Sequence, residues 1–450
     1  MASAVEQLAK NANWGALAKA TELKKRILFV LGALVVYRLG TYVPIPGIDI
    51  LVWKDIFDQK GGGILDMFNM FSGGALQRMT VFALNIMPYI SASIILQLGT
   101  AVSPQLEAIK KDGESGRMRI NQYTRYLTVL LAAVQAYGLA VGLESLQGAS
   151  GSAVIDPGMF FRISTVITIV GGTVFLMWLG EQITARGVGN GISLIIFAGI
   201  VAELPRALAS TLELGRQGTF NLIEMAAIAA MVMAIIVFIV FMERAQRRVL
   251  VQYPKRQSGM GMSQTSQNHI PLKLNTAGVI PPIFASSLLL LPMTLVGFSG
   301  MDASGSDMMA LVSRYLSHGT PTFMFLYGLL IVFFTFFYTA VVFNPQENAD
   351  MLRKHGGFIP GIRPGTPTAE YFDYVLTRTT TIGALYLTFI CLFPEFLVAK
   401  MGLPFYLGGT SLLIVVSVTM DTVAQIHSHM VAHQYEGLIK KAKLRGSKRR

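Results

Sequence analysis

Ten long apolar stretches, separated by polar segments, dominate the pattern of hydrophobic and polar positions along the chain. Each stretch is nearly free of charged residues and close to the roughly 20 apolar residues that a helix needs to cross a bilayer. We therefore predict ten transmembrane helices, called here the first to the tenth span. They cover residues 27–43, 79–104, 126–143, 163–180, 187–202, 225–242, 274–301, 319–346, 379–394 and 401–420.

A shorter apolar segment lies between the first and second spans. Residues 61–63 are glycines, residues 64–71 are largely apolar, and Ser72, Gly73 and Gly74 interrupt the run. The segment is too short to cross a bilayer and too hydrophobic for an ordinary solvated loop. A half-helix at membrane depth is tolerated only where protein surrounds it or where it lines a water-filled cavity. The pattern therefore predicts a cavity in the membrane with a short apolar plug inserted into it.

Composition and charge support a membrane location and give the orientation. Of the 450 residues, 52% are hydrophobic and 14% are charged, against about 25% charged in a typical soluble domain. Alternate threading of the loops places 28 of the 37 Lys and Arg residues on the side of the termini. Lys and Arg accumulate on the cytoplasmic side of membrane proteins, so both termini are expected there. No removable signal peptide is expected, and the single cysteine, Cys391, excludes a disulfide within the chain.

Two cytoplasmic loops, residues 243–273 and 344–378, are long and basic. In the second, Pro360, Gly361, Pro364 and Gly365 surround Arg363 and favour a turn-rich, ordered protrusion. The alternative is a solvated charged linker. The basic tail, residues 436–450, is expected to be flexible and to lie near anionic lipid headgroups or ribosomal RNA.

Catalytic chemistry is not expected. The sequence has no HExxH, GxSxG or phosphate-binding GxxxxGK[ST] motif. His427, His429 and His433 are spaced so that their side chains scatter around a helix, which does not favour a metal site. We also expect no ionisable group near the middle of any span, which argues against an ion-coupled transporter. The expected protein is therefore not an enzyme and needs no cofactor.

Several segments, in order, resemble the SecY/Sec61-alpha family, whose bacterial members are the central subunit of the Sec protein translocase. They include VPIPGID at 43–49, MFNMFSGGAL at 67–76, NIMPYISASIILQL at 85–98, RGVGNGIS at 186–193, PLKLNTAGVIPPIFASS at 271–287, GIRPGTPTAEY at 361–371 and PFYLGGTSLLIVV at 404–416. The resemblance covers roughly residues 23 to 443.

The resemblance implies an all-α membrane protein with ten transmembrane helices in two inverted five-helix halves, residues 1–212 and 213–450. The halves would form a clamshell around an hourglass pore, with a re-entrant plug helix at residues 61–75. The implied function is a protein-conducting channel that passes unfolded secretory polypeptides and releases hydrophobic segments laterally into lipid.

The resemblance also implies roles for particular residues. The pore ring would consist of Ile86, Ile90, Ile192, Ile196, Ile283 and Ile414. The plug would include Ile64, Leu65, Met67, Phe68, Asn69, Met70 and Phe71. The lateral gate, between the second and seventh spans with the third and eighth beside them, would carry the uncharged polar residues Ser91, Gln135, Asn275 and Ser287. These would hold the gate shut by hydrogen bonds between helices. Motor and ribosome binding would fall to Arg363, Lys255, Arg256, Arg247 and Arg248. Met260 and Gly261 stand where the family commonly has a basic pair. Taken singly, each isoleucine is most simply explained by packing or lipid contact, and the serines by helix packing.

The partners implied by the family are the small subunits SecE and SecG, the SecA ATPase, and the ribosome through its rRNA. Signal sequences, unfolded polypeptides, membrane lipids, and the accessory proteins SecDF and YidC complete the set. The expected location is the bacterial inner membrane. Two other classes stay open: a secondary transporter with broken helices, and an insertase or assembly scaffold without a pore.

Overall fold

The computed structural model describes residues 21–60, 69, 72–145, 147–148, 151–217, 221–253, 267–298, 320–401 and 408–447. Helices make up nearly all of the regular structure in these ranges. The helices are α1 (Thr21–Gly40), α2 (Ile50–Lys60), α3 (Met87–Val102), α4 (Pro104–Lys111), α5 (Glu114–Ser145), α6 (Met159–Arg186), α7 (Gly191–Arg216), α8 (Leu222–Arg244), α9 (Ile280–Phe298), α10 (Pro321–Val342), α11 (Pro345–Lys354), α12 (Thr366–Met401) and α13 (Gly409–Ser447). Two short antiparallel pairs accompany them: β1 (Gln147–Gly148) with β2 (Gly151–Ser152), and β3 (Gln246–Gln252) with β4 (Gln267–Lys273).

Each predicted span has a helix at its position. Among the described residues, seven helices are long and apolar enough to cross a membrane, and they fall at the third to sixth and the eighth to tenth spans. Shorter apolar helices, Met87–Val102 and Ile280–Leu289, lie at the second and seventh spans, and α1 lies at the first. The prediction of a helical, multi-pass membrane protein is confirmed, and the ten-span count fits these helices.

The main contacts between helices follow the same pattern in both halves of the chain. The first span contacts the fourth and fifth, as the sixth contacts the ninth and tenth. In the first half, the second span contacts the third, the third contacts the fourth, and the fourth contacts the fifth. In the second half, the seventh span contacts the eighth, the eighth contacts the ninth, and the ninth contacts the tenth. Across the halves, the seventh span contacts the second and third, and the tenth contacts the first and fifth. These crossings form two seams between two five-helix groups.

Helix α7 extends beyond the predicted fifth span. The predicted division between residues 212 and 213 falls inside α7, which continues to Arg216 before α8 begins at Leu222. Residues 203–216 are less apolar than the span before them but rich in Ala, Leu and Glu, which favour helix. The helix therefore outlasts the charge-free stretch from which the span was predicted.

The second span also differs from its prediction, which had a helix over residues 79–104. Residues 73–86 form turns and a bridge, and α3 begins only at Met87 with Pro88 in its first turn. Met79 and Asn85 have φ angles of 46° and 48°, which a helix does not allow. The backbone N–H of Ile45 donates to Met79 O, and that of Val81 donates to Val43 O, both at 3.0 Å. Because the segment is mostly buried in protein, its irregular backbone is satisfied away from lipid.

The two long loops, residues 243–273 and 344–378, pack together as one unit, called here the loop unit. Strands β3 and β4 form a hairpin, and Gln252 at its end exchanges both backbone hydrogen bonds with Phe358. Val249, Leu352 and Phe372 are buried in a hydrophobic core of this unit, separate from the main core. The unit contains α11 and the start of α12, so the loops are more structured than predicted. The basic tail differs as well, because α13 remains helical through Ser447.

Candidate pore and gate

The six isoleucines predicted to form the pore ring share one hydrophobic core. Five are buried and Ile192 is partly buried against them. The positions are as follows: Ile86 at the N-cap of α3, Ile90 on α3, Ile192 and Ile196 on α7, Ile283 on α9, and Ile414 on α13. The four helices involved are those that meet across the halves, α3 with α9 and α7 with α13. The ring residues therefore lie on the helices that form the two seams.

Isoleucine side chains at such a position have a specific physical effect. A narrow apolar constriction holds water poorly and can gate by dewetting. Branched aliphatic groups also make no directional hydrogen bonds, so they can contact a moving chain without selecting its sequence. The spacing of four residues in both the Ile86/Ile90 and the Ile192/Ile196 pairs suits a common helical face.

The second and seventh spans are in contact. Helix α9 contacts both α3 and α5, and the four predicted gate residues, Ser91, Gln135, Asn275 and Ser287, are all buried. The described hydrogen bonds of Ser287 and Asn275 do not join the second span to the seventh. Ser287 Oγ donates to Ile283 O in its own helix at 2.7 Å, since a helical serine readily bonds the carbonyl four residues earlier.

Asn275 joins a different pair of spans. Its Nδ2 donates to Glu243 Oε1 at 2.8 Å, which links the loop before the seventh span to the end of the sixth. Gln135 Oε1 has no hydrogen-bond partner among the described residues. The described bonds of Ser287 and Asn275 therefore stay within their own helix or join the sixth and seventh spans.

Only one of the predicted plug residues, Asn69, belongs to the described part of the chain. Ile64, Leu65, Met67, Phe68, Met70 and Phe71 lie outside the described residues. Asn69 is fully buried, and its Oδ1 accepts a hydrogen bond from the backbone N–H of Gln77 at 2.9 Å. Its backbone carbonyl accepts from Gly74 N at 2.9 Å. Two hydrogen bonds therefore tie Asn69 to Gly74 and Gln77, which follow it in the sequence.

A buried ion pair beside this segment was not predicted. Glu203 lies midway along α7, is 2% exposed, and pairs with Arg78 at 3.5 Å. The predicted fifth span ends at residue 202, one residue before Glu203, so the sequence analysis did not include this buried carboxylate. Glu395 is likewise buried within α12. Both carboxylates come directly after an apolar run in the sequence. The helix propensity of the residues beyond each run was the signal that could have extended the predicted helices to include them.

The basic residues predicted to bind partners are exposed where the structure describes them. Arg363 lies on the turn between α11 and α12, and its backbone carbonyl accepts a hydrogen bond from Thr368 Oγ1 at 2.9 Å. Arg247 and Arg248 are exposed on β3. Lys255 and Arg256 lie outside the described residues. The described arginines therefore lie exposed on the loop unit.

A cavity of about 240 Å³ lies at the ends of these helices nearest the loop unit, and both polar and apolar residues line it. Its polar lining includes Asn190, Glu243 and Gln425, and Lys273 Nζ lies 3.8 Å from Asp421 Oδ1. Charged and amide side chains are therefore grouped on that side of the isoleucines. In the described ranges, no three His, Cys, Asp or Glu side chains are grouped so as to hold a metal ion.

Comparison with known proteins matches this arrangement. The sequence model of the SecY family matches residues 80–423. Protein translocase subunit SecY of Escherichia coli strain K12 is 56% identical over 425 residues, which cover 94% of this chain and 96% of that protein.

Solved structures agree in fold. A protein-conducting channel aligns with a TM-score of 0.67 at 18% identity and covers 91% of this chain and 93% of that one. Sec61 in the canine ribosome–channel complex from the endoplasmic reticulum aligns with a TM-score of 0.64 at 18% identity over the same shares. The family model matches most of the chain, the similarity to the Escherichia coli protein extends over nearly its full length, and the solved channels share its fold. The chain therefore belongs to the SecY family.

Proposed function

We propose that the chain forms a polypeptide-conducting channel in the bacterial inner membrane, with both termini in the cytoplasm. The observation that carries the proposal is the set of six isoleucines on four helices that meet at two seams. An apolar ring that makes no directional bonds suits the passage of unfolded chains of varied sequence. The relative in Escherichia coli is a protein translocase subunit, so a channel that does no chemistry of its own fits both lines of argument.

A lateral exit into lipid would open at the seam of the second and seventh spans. Because Ser287 and Asn275 make no described hydrogen bond across that seam, packing dominates its closure. The apolar core of a signal sequence, typically 7–15 residues, would offset the lost packing by moving its own apolar surface out of water. Hydrophobic segments of a substrate would leave by the same route.

The partner that drives transport, either the SecA ATPase or a translating ribosome, would bind the loop unit on the cytoplasmic side. The canine Sec61 channel, which shares the fold, was solved in a ribosome–channel complex. Exposed Arg363, Arg247 and Arg248 supply positive charge suited to rRNA phosphates or to acidic surfaces of a motor. SecE, SecG, SecDF and YidC are proposed as membrane partners on the strength of the family alone.

Cross-linking of a stalled substrate tests the pore directly. In a Cys391→Ser background, Ile90→Cys and Ile283→Cys would be compared with Val237→Cys, which is 63% exposed on the sixth span. A secretory polypeptide that carries one cysteine and is stalled during translocation should form disulfides with the two ring positions and not with residue 237. Equal cross-linking at residue 237, or none at the ring, would contradict the proposal.

Charge reversal at Arg363 tests the motor site. We expect Arg363→Glu to abolish most SecA-driven secretion while the protein still inserts into the membrane, because an exposed arginine contributes little to folding. Arg363→Lys is the charge-retaining control and should keep partial activity. Normal secretion by Arg363→Glu would remove the assigned role.

A further inference from the structure

The segment Ser72–Arg78 follows the predicted plug and is held by two helices of the first half. From the fifth span, Glu203 Oε1 reaches Arg78 Nη2 at 3.5 Å, and Arg206 Nη1 donates to Gln77 Oε1 at 2.6 Å. The two contacts come from side chains three residues apart on one helix, so they fall on the same face of α7. The fifth span therefore holds the end of the segment at two neighbouring points.

Burial makes the ion pair consequential. The Glu203 side chain is 3% exposed and that of Arg78 is 27% exposed. An exposed ion pair contributes little, but removal of one partner from a buried pair leaves an uncompensated charge. Arg78 has further contacts, since its Nη1 donates to Thr41 O at 3.2 Å and its guanidinium lies 4.3 Å from the centre of the Tyr42 ring.

The backbone of the segment is shaped to approach the fifth span. Gly73 and Gly74 have φ angles of +65° and +81°, a region that favours glycine. A Cβ atom on Gly73 would lie 2.9 Å from Gly199 Cα, and one on Gly74 would lie 2.5 Å from Glu203 Oε1. Backbone conformation thus favours glycine at both positions, the Gly199 backbone also restricts the space at Gly73, and both residues bring the chain against α7.

The first span holds the other side of the segment. Tyr37 Oη donates to Ser72 O at 3.3 Å, and Arg38 Nη1 donates to Gly73 O at 2.7 Å. Arg38 is also within cation–π distance of Tyr42. Every contact so far comes from the first or fifth span, or from the residues just after the first span. None comes from across a seam between the halves.

We propose that Arg78, Glu203, Arg206 and Gln77 form an outer clamp that fixes the carboxyl-terminal hinge of the plug to the first half of the channel. Because the clamp lies within one half, separation of the halves at the seams leaves it intact. The plug then moves about a fixed hinge and returns to the same place when the channel closes. This proposal rests on the proposed function, and in particular on the plug at residues 64–71.

The resting ion leak of the translocase tests the clamp. The full chain, purified with its small partner subunits, is reconstituted into planar bilayers without substrate, and conductance is measured. We expect Glu203→Gln to raise the resting leak about tenfold, which corresponds to about 1.4 kcal/mol. Glu213→Gln on the same helix is the matched control, since Glu213 is exposed and its partner Arg216 lies 4.0 Å away in solvent.

A double substitution separates a paired interaction from two independent ones. If Arg78 and Glu203 act through each other, Arg78→Gln with Glu203→Gln should leak no more than the leakier single variant. Multiplied leaks in the double variant, or a Glu203→Gln leak equal to that of Glu213→Gln, would overturn the clamp. Should Glu203→Gln fail to assemble, Arg206→Gln provides a milder variant, because Arg206 is exposed and its loss leaves the buried ion pair in place. An Arg206→Gln leak equal to that of Glu213→Gln would then overturn the clamp.

Deletion of residues 64–71 keeps the two proposals distinct. If the deletion raises the leak and Glu203→Gln does not, the plug stands and the clamp fails. If the deletion leaves the leak unchanged, residues 64–71 do not seal the channel, and the clamp has no plug to hold.

Discussion

The isoleucine ring and the outer clamp lie close together in sequence, yet they hold the channel by different physics. Ile86 and Ile90 follow Gln77 and Arg78 by 8 to 13 residues. The ring helices meet across the seams between the halves, whereas the clamp joins residues within one half. Contacts that must separate for varied substrates are apolar and non-directional. Contacts that must persist are ionic and directional.

The difference predicts opposite responses to substitution. A packed apolar site loses little stability when one apolar side chain replaces another of similar volume, and loses more when a polar group is introduced. A buried charge pair loses stability when one partner is neutralised, even when the side chain keeps its shape. Four substitutions, taken from the largest expected effect to the smallest, can break or sharpen this comparison.

The largest effect is expected for Ile414→Asn in the ring. An amide at this buried position attracts water into the apolar constriction, and we expect the resting ion conductance of the reconstituted channel to rise more than about tenfold. Ile414→Leu keeps the volume and apolar character and should leave conductance close to the parent value. Similar conductance for the two variants would show that the ring does not seal by exclusion of water.

A smaller effect is expected for Gly74→Ala beside the clamp. The new Cβ would meet Glu203 Oε1 at 2.5 Å, and a non-glycine residue in the left-handed region costs about 1–2 kcal/mol. Gly113→Ala is the control, because Gly113 has a φ of +73° but open space around its missing Cβ. Single-channel recording should show leak for Gly74→Ala only. Equal leak in both would assign the effect to backbone strain alone.

Trp53→Phe should mainly lower stability. The Trp53 indole N–H donates to Leu76 O at 3.0 Å in a buried site, and loss of the donor leaves that carbonyl without this partner at a cost of about 1–3 kcal/mol. We expect a lower midpoint of thermal unfolding in detergent, with translocation retained at low temperature. Trp178→Phe, at an exposed position, should not change the midpoint. An unchanged midpoint for Trp53→Phe would mean that the hinge is held by the charged contacts alone.

The smallest effect is expected for Ser287→Ala at the lateral gate. Its hydroxyl bonds within its own helix, so its removal should change stability by less than about 1 kcal/mol and leave signal-sequence release at its normal rate. Gln135→Leu should behave in the same way, because its Oε1 lacks a partner in the described structure. Cross-linking of a hydrophobic segment to lipid measures its lateral release. Faster release by either variant would support the predicted hydrogen bonds between the gate helices.

Much of the fold was predictable because lipid imposes simple rules. Span positions followed from apolar length, and the helical, multi-pass architecture agrees with them. The hairpin of β3 and β4 was not predicted, since a basic loop gives no long-range pairing signal. The start of the second span was also missed, because residues 79–86 are apolar but bury an irregular backbone in protein instead of in lipid.

The candidate site was less predictable than the fold. Ile283 on its own is indistinguishable from any buried isoleucine, and only family resemblance singled it out. Glu203 was not among the predicted site residues, because its helix extends beyond the apolar stretch from which the span was predicted. Its partner Arg78 is also 125 residues away in sequence. Distant pairing of this kind has no local signature.

The sequence by itself determined the spans, the polar loops between them, and a short glycine-bounded segment unable to cross a bilayer. Those features depend on the local balance of apolar and polar groups against the membrane. Only the tertiary structure decided which helices meet at the seams, that Asn275 bonds to Glu243, and that Glu203 faces Arg78. Such contacts depend on how separate helices pack, and packing is a property of the whole chain.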